Sequence, residues 1–567
     1  MILVMRFLGI TALLLMPGLS FAQHQQFVSP LAIPAAFSGT FGEIRADHFH
    51  SGVDLRTKGQ VGYSVRAVEK GFVSRIKVSP VGFGKTIYID HPNGKTTVYA
   101  HLSEFSGKIA DYVEKAHYQK QSFDIELFPK PDELPVNKGD VIGVSGNSGN
   151  SGGPHLHFEV RETASQYIVD PFEHFSSWKQ TDNEPPTINR LLVCEINSAN
   201  YLQSNLTYKP YSVVKEGNSF TLTSPVYAAD RIGFALDYYD NVNQNSFKSG
   251  IKKAEVRVNG LETFTFQVDR FSFSETRYAN GFNGITDENW NGYKAIRLWV
   301  DPNNKFSGIK FAINRGIIDL VKDSAYSVDI MVWDHSNNSS RLTFTVVGTT
   351  KKAMITQLPD LPYFKWNEEN SFETESYKVT LPKNALFHDI LFQMTEIKTT
   401  SLPYPIVNIH NTKTKLFKKI YLEYNTKNIP QKILDKTYIA KVNGNGNEYV
   451  GGEILNTTLK ATCSSFGKYI VLVDTISPSI TALNLTPKAE NAQQTQLTFK
   501  VTDNTGIKTY NGYIDGIWVL FDWDPKTALL SHKLSPTRTR QGSWHNLTIV
   551  VTDMLNNRSE YTTKFYW

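Results

Sequence analysis

The chain is 567 residues long, 40% hydrophobic and 12% aromatic, with 59 Lys plus Arg against 54 Asp plus Glu. That length suits three or four domains, and so mild a basic surplus, without a basic block, excludes nucleic acid as a partner. Its two cysteines, Cys194 and Cys463, exclude a disulfide framework and leave room for one bridge at most.

Residues 1–22 carry one Arg, a short apolar core through Leu15 and the small-x-small ending Ser20-Phe21-Ala22. They read as a secretory signal peptide: the apolar run is too short to span a bilayer, and nothing later reaches about 18 apolar residues. The expectation is an exported chain with no transmembrane segment in its mature form. No Cys follows the cleavage site, so a lipid anchor there is not expected.

From Gln23 to about residue 178 short strands alternate with turn signals. Ser64–Val68, Gly71–Val78, Lys85–Asp90 and Lys95–His101 are rich in Val, Ile, Thr and Tyr, and Asn93-Gly94 marks a hairpin between the last two. An antiparallel sheet is expected. Upstream, His50 and Asp54 flank Gly52, which permits a bend that can aim an imidazole and a carboxylate at one ion; that donor pair suits zinc. His101 is expected at a strand end. Downstream, His155-Leu156-His157-Phe158-Glu159-Val160 reads as a strand with both imidazoles on one face and Leu156 and Phe158 on the other.

Around these histidines the neighbours read blandly. Glu43, Arg45 and His48 are either supports for His50 or ordinary surface and ion-paired residues. His91 is expected in a turn and His117 on a helix surface. The glycine-rich run Ser145–Gly153 lacks the Gly-Lys-Ser/Thr of a phosphate cradle and is expected to be a flexible connection. Residues 103–135 form an insertion, with Ile109, Tyr112, Val113 and Ala116 at helical spacing followed by a proline-rich half. It is expected as a helix plus loop, serving either as a wall near the groove or as a cap on the sheet edge.

The order His-x-x-x-Asp, Tyr-Ala-His-Leu and Gly-Pro-His-Leu-His, with Gly82-Phe83-Gly84, Lys138-Gly139-Asp140 and Ser145–Gly149 between, resembles the lysostaphin/LytM-type zinc metallopeptidases. These cut peptide cross-links in bacterial cell walls. The resemblance implies that His50, Asp54 and His157 bind one zinc ion and that His101 and His155 are catalytic, assisting a zinc-bound water, without dividing the roles of base and oxyanion donor between them. It implies a metalloendopeptidase acting on peptidoglycan cross-link peptides, in the periplasm most simply, with the cell surface or the medium as alternatives. Family members without metal ligands are non-catalytic regulators of other wall hydrolases; that is the rival reading. Which bond is cut, and whether residues 23–47 inhibit the site, are left open.

Beyond Asn183-Glu184-Pro185-Pro186 the sequence repeats itself. Asp240-Asn241 followed by Gly250-Ile251-Lys252 parallels Asp503-Asn504 followed by Gly506-Ile507-Lys508, and Asp334–Ser340 parallels Asp553–Ser559. Residues 187–348 and 477–567 are therefore expected to be two copies of one β-sandwich, resembling bacterial immunoglobulin-like modules. Calcium at the sandwich aspartates is the lesser reading beside ordinary turn hydrogen bonding. Residues 351–474 are expected to be a third β-domain. The fold class expected is mainly β: an antiparallel-sheet peptidase domain at 23–178, then β-modules that position it or bind envelope proteins.

Overall fold

The computed structural model describes residues 27–180, 182–242, 247–283, 295–350, 358–444, 446–485 and 494–567. The signal peptide read at residues 1–22 lies outside them. The chain is mainly β, as its composition suggests. Among the described residues no helix is long and apolar enough to cross a membrane.

The N-terminal domain is built from β1 (Phe37–Gly39), β2 (Val53–Arg56), β3 (Ser64–Arg66), β4 (Gly71–Val78), β5 (Lys85–Asp90), β6 (Lys95–Phe105), α1 (Gly107–Lys120), β7 (Ile125–Leu127), β8 (Pro135–Val136), β9 (Val141–Ser145), β10 (His155–Glu162) and β11 (Ile168–Val169). The main sheet runs β1-β2-β10-β6-β5-β4-β7, and β9 bridges β6 and β3. Alternation explains the burial: Leu156, Phe158 and Val160 turn to a core shared with Val53, Leu55, Ile87 and Tyr99. Phe27, Leu31 and Phe37 belong to the same core, so the described part of the segment before His50 is built into the domain.

The insertion caps the sheet. β7 pairs β4 through Ile76 and Leu127, covering an edge that would otherwise be unpaired. Helix α1 buries Ile109, Val113, Ala116 and also His117, which corrects the surface placement expected for that residue: its Nδ1 donates to the Ser122 carbonyl at 2.8 Å.

Further cores follow along the chain. Most strands between Thr187 and Gly348 share one sheet system, in which Tyr208–Glu216 pairs with Thr187–Glu195 on one side and Ser219–Leu222 on the other, while Arg270–Phe271 pairs with β11 of the N-terminal sheet. Residues 370–473 hold two five-stranded sheets, and residues 479–566 hold two four-stranded sheets. Phe565 and Trp567 are buried in the last core. Cys194 and Cys463 are both free and buried, so the single bridge that the count allowed does not form.

The domains pack closely. Phe49 is fully buried against Phe306, 4.2 Å between ring centroids, in the core of the second module. Asp170 is buried at the same boundary, accepting from His335 Nδ1 at 2.8 Å, with Lys252 Nζ 3.7 Å away. The last module leans on α1, where Arg538 lies 3.8 Å from the Tyr118 ring and 3.1 Å from Glu114.

Candidate active site

Three neighbouring strands carry the site. Antiparallel register sets His157 of β10 opposite Asp54 of β2 and, on its other side, opposite Ala100 of β6, so their chemistry meets on one face. His50 arrives from the loop before β2. Its backbone is fixed by reciprocal bonds with Gly42 and Glu43, and the preceding Phe49 points away into the second module's core.

His50 Nε2 lies 3.0 Å from Asp54 Oδ1 and 3.1 Å from His157 Nδ1, and His157 Nδ1 lies 3.0 Å from the same carboxylate oxygen. The other ring nitrogens are committed. His50 Nδ1 donates to the Thr40 carbonyl at 2.8 Å, and His157 Nε2 donates to Glu159 Oε1 at 3.0 Å. Those acceptors force the protons outward, so both lone pairs face inward. Two facing lone pairs and a carboxylate repel one another unless a cation stands among them; nitrogen, nitrogen and oxygen donors gathered within 4.8 Å fit zinc.

Electrostatics agree. Burial favours the neutral form of Asp54, yet His50, His155 and His157 outweigh it and hold the carboxyl well below its usual range. Burial also opposes charge on His157, but Asp54 and Glu159 lift it to about 9, a proton doing there what a metal ion would do. His50 is lowered by burial, against the pull of Asp54. Behind the site, Arg45 Nη2 reaches Asp54 Oδ2 at 3.0 Å and also pairs with Glu43. The exposed His48 ring pairs with Asp47.

The two remaining histidines stand beside this cluster. His155 Nε2 is 3.4 Å from Asp54 Oδ1, with its Nδ1 on the Gly153 carbonyl at 2.8 Å. The rings of His101 and His155 are 4.9 Å apart, and His101 Nδ1 donates to the Ser148 carbonyl at 2.8 Å. Burial, then His157 and His155, lowers His101 to about 3.

His101 is not at a strand end as expected. β6 continues to Phe105, and His101 sits inside it with φ at 61°, a bulge where the strand leaves β10 for β9 while still paired with β5. The bulge turns the imidazole toward the site. Nor is the glycine-rich run a loose connection. Gly149 sits so close to Gly82 and Gly84 that a Cβ would meet backbone atoms at 2.3 and 2.4 Å. Asn150 N donates to Gly82 O and Ser148 Oγ bonds Lys85 N and Leu102 O. That tie places Phe83 5.0 Å from the His157 ring.

The strand holds two functional residues that the sequence reading passed over. Glu159, fully buried, bonds His157, and Arg161 Nε bonds Glu159 at 2.8 Å. The signal was present: 155, 157, 159 and 161 share one strand face. Burial raises Glu159, but Arg161 and His157 bring it down to about 2. His91, placed in a turn, is a buried residue at its start, bonding the Lys70 carbonyl and Thr97.

Residues 48–118 and 131–171 match the family model of Peptidase family M23. The N-terminal domain is thus a LytM-type domain of this metallopeptidase family. Similar curated proteins include the DD-carboxypeptidase/endopeptidase Mpg of Neisseria meningitidis serogroup B, 35% identical over 112 residues, covering 20% of each chain. An uncharacterized metalloprotease of Haemophilus influenzae is 31% identical over 137 residues, covering 24% of this chain and 23% of its own. The catalytic domain of lysostaphin from Staphylococcus simulans is similar too, at 24% identity, 24% of this chain, 87% of that one and a TM-score of 0.18. The chain spans about a fifth of the length of the curated relatives that it matches first. Residues 362–474 match the model of the Zu5-like domain, within the segment expected as a third β-domain.

Proposed function

We propose that this protein is an exported zinc metalloendopeptidase that hydrolyses peptide cross-links of bacterial peptidoglycan, acting in the periplasm. The observation that carries the reading is the convergence of His50 Nε2, Asp54 Oδ1 and His157 Nδ1 beside two further imidazoles. Zinc held by those three atoms would supply Lewis acidity and acidify a water at neutral pH.

This chain's own residues do the rest. His101 and His155 each commit Nδ1–H to a carbonyl, so each has Nε2 left to exchange a proton with the reacting groups. Burial keeps His101 neutral near pH 7. Glu159 and Thr40 O keep His157 and His50 in the ligating tautomer. The relative named DD-carboxypeptidase/endopeptidase directs the substrate proposal to D,D bonds. The later modules, read as immunoglobulin-like at 187–348 and 477–567, would position the domain or meet envelope proteins. The regulator reading is disfavoured because all five residues are present.

Purified cross-linked peptidoglycan incubated with the zinc-loaded mature protein, beside His155→Ala and His157→Ala, tests this by mass spectrometry of released muropeptides. Cross-linked dimers should disappear with the wild type alone. Zinc-loaded wild type that leaves every cross-link intact would overturn it.

A further inference from the structure

A second kind of cluster lies outside the peptidase domain, and it occurs twice. Asp182, Asp240 and Asp334, all buried, bring carboxylate oxygens within 4.8 Å of one another, and Asp474, Asp503 and Asp553 do the same. The copies share their asparagine bonds, while the middle aspartates are held differently: Asp240 Oδ2 accepts from Ser249 Oγ at 3.3 Å, and Asp503 Oδ1 accepts from Thr505 N and Gly506 N. Asn338 Nδ2 donates to Asp182 O at 3.1 Å and Asp334 Oδ2 at 2.8 Å; Asn557 Nδ2 donates to Asp474 O at 3.0 Å and Asp553 Oδ2 at 2.7 Å. Ser340 and Ser559 bond the carbonyls of Pro186 and Pro478. Ordinary turn hydrogen bonding therefore accounts for Asn338, Asn557 and half of each carboxylate.

It does not account for the middle aspartate. Asp240 is 1% exposed, and among the described residues its Oδ1 has no hydrogen-bond partner; Oδ2 of half-buried Asp503, at the corresponding position of the other copy, has none among them either. An ionised carboxylate with an unpaired buried oxygen is strongly disfavoured in water-excluded surroundings. Three carboxylates with oxygens within 4.8 Å of one another crowd like charge at that place. Such crowding is relieved by a cation. The donors are all oxygens, carboxylates with carbonyls nearby, which suits a hard ion with flexible coordination and not zinc.

We propose that each of the two modules binds one divalent cation of the calcium class, held by Asp182, Asp240 and Asp334 in the first and by Asp474, Asp503 and Asp553 in the second. Asp182 and Asp474 lie in the linkers that enter strands Thr187–Glu195 and Ser479–Ala482. Each ion would tie an incoming linker to two loops of the module it enters. In the first copy the loop continues into His335, whose ring holds Asp170 of the peptidase domain. The inference does not depend on the peptidase reading.

Calcium titration of the zinc-loaded mature chain by calorimetry tests it, up to about 10 mM, above the dissociation constants of weak extracellular calcium modules. Wild type should bind two calcium ions, Asp240→Asn one, Asp503→Asn one and the double variant none. Asn preserves the shape of Asp, and in each single variant the surviving site reports a folded chain. A wild type that binds no calcium, or a double variant that binds as much as wild type, would overturn the assignment. Preference for magnesium over calcium in the same titration would overturn the class of ion.

Discussion

His50, Asp54 and His157 meet on one sheet face, and Asp182, Asp240 and Asp334 meet where a linker enters a β-module; both trios are buried, each with ligand atoms within 4.8 Å of one another. Their surroundings differ. Each imidazole of the first trio is backed by an acceptor, Thr40 O or Glu159, and Arg45 backs Asp54. Two more histidines stand alongside. The second trio has amide and hydroxyl donors behind it, no imidazole among its three residues, and one Asp240 oxygen without a partner among the described residues. Closeness of ligands thus makes a site, while what stands beside them decides whether protons can move there. The first arrangement suits catalysis and the second suits a structural tie.

Breaking the first trio should have the largest effect. His157→Ala is expected to lose both zinc and hydrolysis, whereas His101→Ala should keep stoichiometric zinc and lose about 10²–10⁴-fold in rate, as removal of general acid–base catalysis does. Metal analysis beside muropeptide release checks this, and equal zinc loss in both would erase the distinction between ligand and proton carrier. Phe49→Ala empties a place in the second module's core, and large-to-small changes of this kind cost about 3–5 kcal/mol. It should lower the urea midpoint and loosen zinc through the adjoining His50.

Asp170, unlike Asp240, is a buried carboxylate with countercharges. Burial raises it, but His335 and Lys252 bring it below the ordinary value. Its contribution to stability is therefore present above about pH 3.9 and is lost as pH falls through the lower native value. Removing one partner of such a buried group costs roughly 3 kcal/mol, so Asp170→Asn should lower the urea midpoint at pH 7 and flatten its acid decline. For Asp334 the sign is opposite: raised to about 6, it favours the calcium-free fold at low pH and loses that contribution as pH rises through about 6. Glu159→Gln should weaken zinc about 10–100-fold, measured by chelator competition, with the fold retained. The smallest effect is expected from Arg538→Ala, under about 1 kcal/mol by urea denaturation, since its pairing with Glu114 is partly exposed.

Much of the candidate site is legible because strand alternation is a local rule. His155 and His157 share a face by spacing alone, and the same rule puts Glu159 and Arg161 on it. His101 was misplaced because a left-handed residue inside a strand leaves no local mark when the residue is not glycine. His117 was misplaced because helical spacing places a residue on a face, while the neighbours that bury that face come from elsewhere in the chain.

The sequence by itself determined the strand-rich class, the histidine and aspartate residues of the centre and the duplicated Asp and Asn positions, all of which follow from side-chain chemistry and short-range periodicity. Only the tertiary structure decided that Thr40, Ser148 and Gly153 carbonyls fix the tautomers, that Phe49 anchors the His50 loop in another module, and that three aspartates far apart in sequence converge with one oxygen unpaired. Backbone carbonyls are the same at every position and carry no mark in sequence. Their role depends on which distant segment long-range packing brings against them.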